Sequence, residues 1–148
     1  MNRQQKLDKT YMRMTLEWAK QSHCVKKQVG ALIVKDNRII SDGYNGTPSG
    51  FDNKCEFYEA IPGIEGAAEM KTKWDVLHAE ANAILKCAKY GSSCNEATLY
   101  LSMAPCKDCS KLIHQAGIER VVYLEEYRDK KGIYFLESAN VKVERIQL

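Results

Sequence analysis

Apolar positions near the start of the chain recur with helical spacing. Leu7, Tyr11, Met14 and Trp18, with Met12, Leu16 and Ala19 beside them, predict a helix that buries one face. Val29 to Val34 and Arg38 to Asp42 flank Lys35-Asp36-Asn37, the pattern of a β-hairpin with a tight turn. Gly30, inside the first of these strands, predicts that backbone or ligand approaches closely there. Ala79 to Tyr90 is rich in helix formers, Gly91-Ser92-Ser93 interrupts it, and Ala97 to Ser102 has strand composition. Pro105 opens a further helix that ends at Gly117, and Arg120 to Glu125 is a strand rich in Val and Tyr. Strand, helix, strand implies a parallel pair with a right-handed crossover. Gly132 to Ala139 reads as a short helix and Val141 to Ile146 alternates as an edge strand does. The sum is an α/β domain: a five-stranded mixed sheet, order 2-1-3-4-5, with helices on both faces.

Two stretches stand outside this pattern. Gly43-Tyr44-Asn45-Gly46-Thr47-Pro48-Ser49-Gly50 is built for turns and for exposing backbone N–H groups. As a ligand loop it would use Asn45, which offers both a donor and an acceptor to a sugar hydroxyl; the plainer reading is an ordinary surface loop. Phe51 to Leu77 mixes apolar, acidic and breaker residues without sustained period. At ~27 residues it exceeds ordinary connections and reads as an insertion, either a lid or an oligomer contact.

Composition bounds the rest. The 148 residues suit one domain, and 45% hydrophobic content is enough for a real core. The net charge of +3 comes from 22 basic and 19 acidic residues, too balanced and too scattered for a nucleic-acid or membrane surface. Small basic clusters at Lys26-Lys27 and Arg128 to Lys131 suffice to neutralise one phosphate. The first residues lack the apolar core of a signal peptide and no run is long enough to cross a bilayer, so the expected location is cytoplasmic. A chain of this size in a reducing compartment has no need of disulfides among its six cysteines.

The chemistry concentrates in His78-Ala79-Glu80 and Pro105-Cys106-Lys107-Asp108-Cys109. A helix of ~18 Å followed by a returning strand of ~20 Å brings the end of the strand level with the start of the helix. His78 and Glu80 then meet Cys106 and Cys109 where two helices begin, and the positive end of a helix favours thiolates. One imidazole and two thiolates make the three-ligand set of a catalytic zinc, with a fourth position for water, and Glu80 is placed to carry protons.

These motifs resemble the zinc-dependent cytidine/deoxycytidylate deaminase superfamily. A narrower resemblance, to dCMP deaminases, rests on Val29 to Lys35, Gly43 to Gly50, His78 to Ile84 and Gln115-Ala116-Gly117-Ile118, in this order, and spans Tyr11 to Tyr127. It implies a three-layer α/β/α fold and the reaction of dCMP with water to give dUMP and ammonia. It further implies one Zn²⁺ on His78, Cys106 and Cys109. Glu80 would take a proton from water, deliver it to N3 of the ring and later protonate the departing amine. Substrate contacts implied are Asn45 on the deoxyribose and Ala79 with the Ser102 to Pro105 segment around the base. Lys26 is implied at the 5′-phosphate, where relatives often carry Arg, and Tyr127 is a further phosphate contact. In regulated relatives the loop of Gly43, Tyr44, Asn45 and Gly46 contributes to a site for dCTP with Mg²⁺, activating, or dTTP, inhibiting. That site lies between subunits of a homo-oligomer, from dimer to hexamer. Some relatives carry a second zinc near the positions of Cys24 and Cys55; here Val76 and Leu77 stand where its histidine partner would be, which counts against that metal.

Other readings remain open beside this one. Cys106 and Cys109 fit a thioredoxin-like redox pair, which leaves His78 and Glu80 without a role. Another cytosine nucleoside or base, or adenosine in tRNA, fits the same catalytic residues. A non-catalytic, competence-associated domain would keep the fold but has no use for Glu80. His23 and His114 read as solvated or capping residues, and Cys87 and Cys94 as small hydrophobes.

Overall fold

The structure is a computed structural model that describes residues 1–148. Its elements, in chain order, are α1 (Arg3–Ala19), β1 (Gly30–Lys35), β2 (Arg38–Tyr44), β3 (Glu56–Ala60), β4 (Ala68–Thr72), α2 (Ala79–Tyr90), β5 (Thr98–Met103), α3 (Lys107–Gln115), β6 (Arg120–Glu125), α4 (Lys131–Ser138) and β7 (Lys142–Arg145). The main sheet runs β2-β1-β5-β6-β7, the order expected from the sequence. β1 is antiparallel to β2 and to β5, while β5, β6 and β7 are parallel.

Alternation along the strands divides the core in two. Ala31, Ile33, Leu99, Leu101 and Val121 point to the face covered by Ala79, Ala83 and Cys87 of α2, Ile113 of α3 and Leu136 of α4. Leu32, Val34, Tyr100 and Val122 point the other way, onto Tyr11 and Met12 of α1. One helix therefore covers one face and three cover the other.

Several expectations need correction. The buried stripe of α1 is Asp8, Tyr11, Met12, Thr15 and Ala19, while Met14 is exposed. The stripe is rotated because Asp8 is drawn in by partners distant in sequence. Its carboxylate accepts hydrogen bonds from Arg120 at 2.9 and 2.7 Å and from Tyr100 at 2.6 Å, and Arg120 also donates to Glu144 at 2.7 Å. The close approach at Gly30 is made by α1 itself: a Cβ there would press on the Thr15 carbonyl and lie 2.9 Å from the Ala19 nitrogen. β2 extends through Gly43 and Tyr44, so the glycine-rich loop begins later than its composition implied. Pro105 precedes α3 rather than opening it, because Cys106 is the N-cap; the helix stops at Gln115, before Gly117 reverses the chain at φ 89°.

The 51–77 insertion carries a two-stranded antiparallel sheet of its own, β3 against β4. Cys24, after α1, and Cys55, at the foot of β3, are joined in a disulfide across a sequence separation of 31, with Cα atoms 5.2 Å apart. The expectation that all six cysteines stay reduced fails for this pair, because the fold packs the two segments together; Cys87, Cys94, Cys106 and Cys109 are free.

Candidate active site

The site is assembled where α2 and α3 begin. A pair of backbone hydrogen bonds between Gly46 and Leu77, at 3.1 and 2.8 Å, fixes the path of the chain into α2. His78 is the N-cap of that helix, but its side chain makes no capping hydrogen bond, so the imidazole is available for other work. Ala79 and Glu80 form the first turn beside it. The helix presses against β2 at Gly43, where a side chain would collide with the Ala79 carbonyl and sit 2.8 Å from the Ala83 nitrogen. Hydrogen bonds hold this contact on both sides: the Ser41 hydroxyl donates to the Ala83 carbonyl at 2.6 Å and the Asn82 amide to the Tyr44 carbonyl at 2.8 Å.

Cys106 and Cys109 come from the N-terminus of α3, where the Cys109 N–H points at the Cys106 sulfur at 3.5 Å. The His78 Nδ1 lies 3.3 Å from Cys109 Sγ and 3.6 Å from Cys106 Sγ. A tetrahedral zinc with ordinary bond lengths to nitrogen and sulfur requires nitrogen–sulfur separations of about 3.6 Å, and both nitrogen–sulfur distances here lie close to it. Electrostatics point the same way. Hydrogen bonding from Cys109, with help from His78, pulls the Cys106 thiol down to about 4, so that sulfur is held as a thiolate. Hydrogen bonding to Cys106 and burial push Cys109 up, a conflict between two sulfurs that a shared cation relieves. His78 is raised by its contact with Cys106.

Glu80 is 4% exposed, with Oε1 4.0 Å from His78 Nδ1. Burial raises its carboxyl above the usual range, against the pull of His78. A buried carboxyl whose proton affinity is raised is suited to both accept and return a proton, as a general acid and base must.

The cavity over these groups encloses about 280 Å³, the size of a small ligand. His78, Ala79, Glu80 and Cys106 line it, together with Asn45, Tyr127 and the cationic residues Lys26, Lys27 and Arg128. Asn45 is nearly buried: its Oδ1 accepts from the Val29 N–H at 2.9 Å and its Nδ2 donates to the Lys27 carbonyl at 2.8 Å. One amide hydrogen remains for a ligand. Ser102 and Pro105 are buried away from the lining; the Ser102 hydroxyl accepts the Gly30 N–H at 3.0 Å, tying β5 to β1. Their neighbours Met103 and Ala104 line the cavity instead. The Lys27 ammonium reaches inward, 3.7 Å from the Met103 sulfur and 5.5 Å from the centre of the Tyr127 ring. The basic clusters flagged Lys27 and Arg128 in the sequence. Glu56, Thr72 and Val76 of the insertion also form cavity wall, and nothing in the sequence pattern marked them.

Near the disulfide, Cys24, Cys55 and Glu56 cluster closely enough to resemble a second metal site. The donor set does not fit one: the two sulfurs are bonded to each other, and the Glu56 carboxylate is engaged by the Val25 and Lys26 N–H groups.

One imidazole and two thiol groups gathered beside a buried carboxyl are the donor set that a zinc ion would take in a deaminase of the nucleobase class. Comparison of the sequence with known families reaches the same point. The description "Cytidine and deoxycytidylate deaminase zinc-binding region" matches residues 5–125, and the chain belongs to that family. The deoxycytidylate deaminase of Enterobacteria phage T2 is 37% identical over 159 residues, covering 84% of this chain and 84% of that protein. ComE operon protein 2 of Bacillus subtilis is 38% identical over 136 residues, covering 88% of this chain and 66% of that protein. Among solved structures, the dCMP deaminase of cyanophage S-TIM5, in complex with dCMP and dUMP, superposes with a TM-score of 0.85 at 39% identity over 99% of each chain.

Proposed function

We propose that this protein is a zinc-dependent deaminase that converts dCMP and water to dUMP and ammonia. The observation that carries the reading is the buried Glu80 carboxyl beside the converged His78, Cys106 and Cys109. The S-TIM5 enzyme, whose fold this chain shares end to end, was solved with dCMP and dUMP. His78, Cys106 and Cys109 would hold the zinc, which when bound would supply an activated water for attack at C4 of the pyrimidine. Glu80 accepts one proton from the water and delivers it to N3, then takes the remaining proton of the hydroxyl added at C4 and passes it to the departing amine as the C4 carbonyl forms; its raised affinity for protons suits both halves of that cycle. Ala79, Met103 and Ala104 wall the base, and Asn45 faces the deoxyribose. The phosphate is received by Lys26 and Lys27 with Tyr127 and Arg128, which give the cavity its cationic lining.

Regulation by dCTP with Mg²⁺ and by dTTP belongs to the same proposal. Gly43 is taken up by helix packing, so effector contacts fall to Tyr44, Asn45 and Gly46. A cytoplasmic homo-oligomer completes it: Phe51, Tyr58, Ile64 and Trp74 of the insertion are exposed, Trp74 at 95%, large apolar side chains that a second copy would cover. Light scattering reads the assembly. No helix is long and apolar enough to cross a membrane.

Ammonia release measured on dCMP, deoxycytidine, cytosine and a tRNA hairpin, with dCTP and dTTP added in turn, tests the reading. dCMP is expected to be the preferred substrate. Preference for an unphosphorylated substrate or for the hairpin overturns it, and rates indifferent to both triphosphates remove the regulatory part.

A further inference from the structure

The segment between α1 and β1 carries both lysines of the cationic lining yet has no regular structure of its own. It is tied down from several sides: the Ser22 hydroxyl donates to the Asn45 carbonyl at 2.8 Å, the Gln28 amide to the Ser22 carbonyl at 2.8 Å, and Asn45 to the Lys27 carbonyl. Between these ties lie Val25 and Lys26, whose consecutive N–H groups face outward to the insertion. Both are taken by one side chain. The Glu56 carboxylate accepts the Val25 N–H at 3.2 Å on each oxygen and the Lys26 N–H at 3.3 Å. Glu56 begins β3 and directly follows Cys55, so the insertion is bonded covalently to Cys24 and through hydrogen bonds to the next two residues.

The carboxylate lines the same cavity as Lys26, Lys27 and Arg128, yet none of these three cations enters an ion pair with Glu56 or any other acid. Its charge is directed at backbone, which leaves the ammonium and guanidinium heads for an incoming anion.

We propose that Glu56 is a positioning residue that sets selectivity for the phosphorylated substrate: by fixing the Val25–Lys26 backbone, it presents the cationic lining of the cavity in a preformed geometry. This rests on the dCMP reading above. A cationic loop free to move must be ordered when the phosphate binds, and the cost falls on that substrate alone. A nucleoside lacking phosphate makes no use of the cationic heads the loop carries.

The test compares kcat/KM for dCMP and for deoxycytidine in the zinc-loaded wild type and in Glu56→Ala and Glu56→Gln. Charged hydrogen bonds to backbone are strong, and losing them in Glu56→Ala is expected to lower the dCMP to deoxycytidine ratio by about tenfold. The fall should appear in KM for dCMP, with kcat within about twofold of wild type. Glu56→Gln keeps one acceptor oxygen and should retain part of the selectivity; it serves as the reporter if the alanine variant does not fold. A ratio unchanged or raised in the variants, or equal losses on both substrates, overturns the role of Glu56. A wild type that does not turn over dCMP overturns the substrate reading and this inference with it, and the two failures are therefore told apart by the wild-type rate.

Discussion

Gly43→Ala puts the coupling between β2 and the catalytic helix to a direct test. The new methyl group would collide with the Ala79 carbonyl and stand 2.8 Å from the Ala83 nitrogen, both backbone atoms of α2. Restoring ordinary contact requires a displacement on the order of 1 Å. The strand cannot simply retreat, because Ser41 and Tyr44 on either side are hydrogen-bonded to Ala83 and Asn82, and Asp42 pairs with Lys86 at 2.6 Å. The strain therefore reaches the first turn of α2, which carries His78 and Glu80. Overpacking of this kind costs about 1–3 kcal/mol, a fall in Tm of roughly 2–12 °C for a chain of this length. A displacement of about 1 Å at catalytic groups costs about a hundredfold in rate. Thermal melting and kcat per bound zinc read the two effects. Gly30→Ala is the matched control: it meets α1 on the opposite face of the sheet, with the Ala19 nitrogen 2.9 Å away, and should lose stability while the folded fraction keeps its kcat. A Gly43→Ala protein with wild-type Tm and kcat would refute the packing argument.

Further outcomes follow from other parts of the fold. Burial alone would raise the Asp8 carboxyl, but hydrogen bonds from Arg120, Tyr100 and Gln4 outweigh it and hold it below the usual value. A lowered value means stabilisation that is complete above about pH 4 and is lost as pH falls through the folded-state value. Asp8→Asn should thus be less stable than wild type by about 3 kcal/mol at neutral pH, and the gap in urea unfolding should begin to narrow as pH falls below about 4; a gap that widens as pH falls below that point contradicts the assignment. Cys106→Ser and exhaustive chelation should each lower zinc content, Tm and turnover together, as read by metal analysis and melting, because ligand binding to the folded state is also stabilisation of it. A Cys106→Ser protein that keeps one zinc per chain removes Cys106 from the ligand set.

What was legible in the sequence was what is local or periodic. α2 was readable to the residue because Ala79 to Tyr90 combines helix formers with a terminating Gly91 that adopts φ 74°. The sheet order followed from one hairpin and one crossover, and the meeting of His78 with Cys106 and Cys109 from two short motifs at helix starts. The β3–β4 hairpin escaped because both strands are largely exposed and so show no alternation between buried and open positions. Asp8 escaped because a carboxylate on a buried stripe makes sense only with Arg120, 112 residues away. Lys27 and Lys26 are adjacent, and which one reaches inward is decided by the path of the loop, itself set by Asn45 and Glu56. The Cys24–Cys55 bond depends on that same meeting of two irregular segments.

Ammonia release from dCMP by Glu80→Gln, on protein shown to hold one zinc per chain, bears most directly on the account. The neutral amide fits the same buried space but cannot exchange a proton, so the zinc should stay while turnover falls by about a hundred- to ten-thousandfold. A zinc-loaded Glu80→Gln protein that deaminates dCMP at the wild-type rate would contradict it.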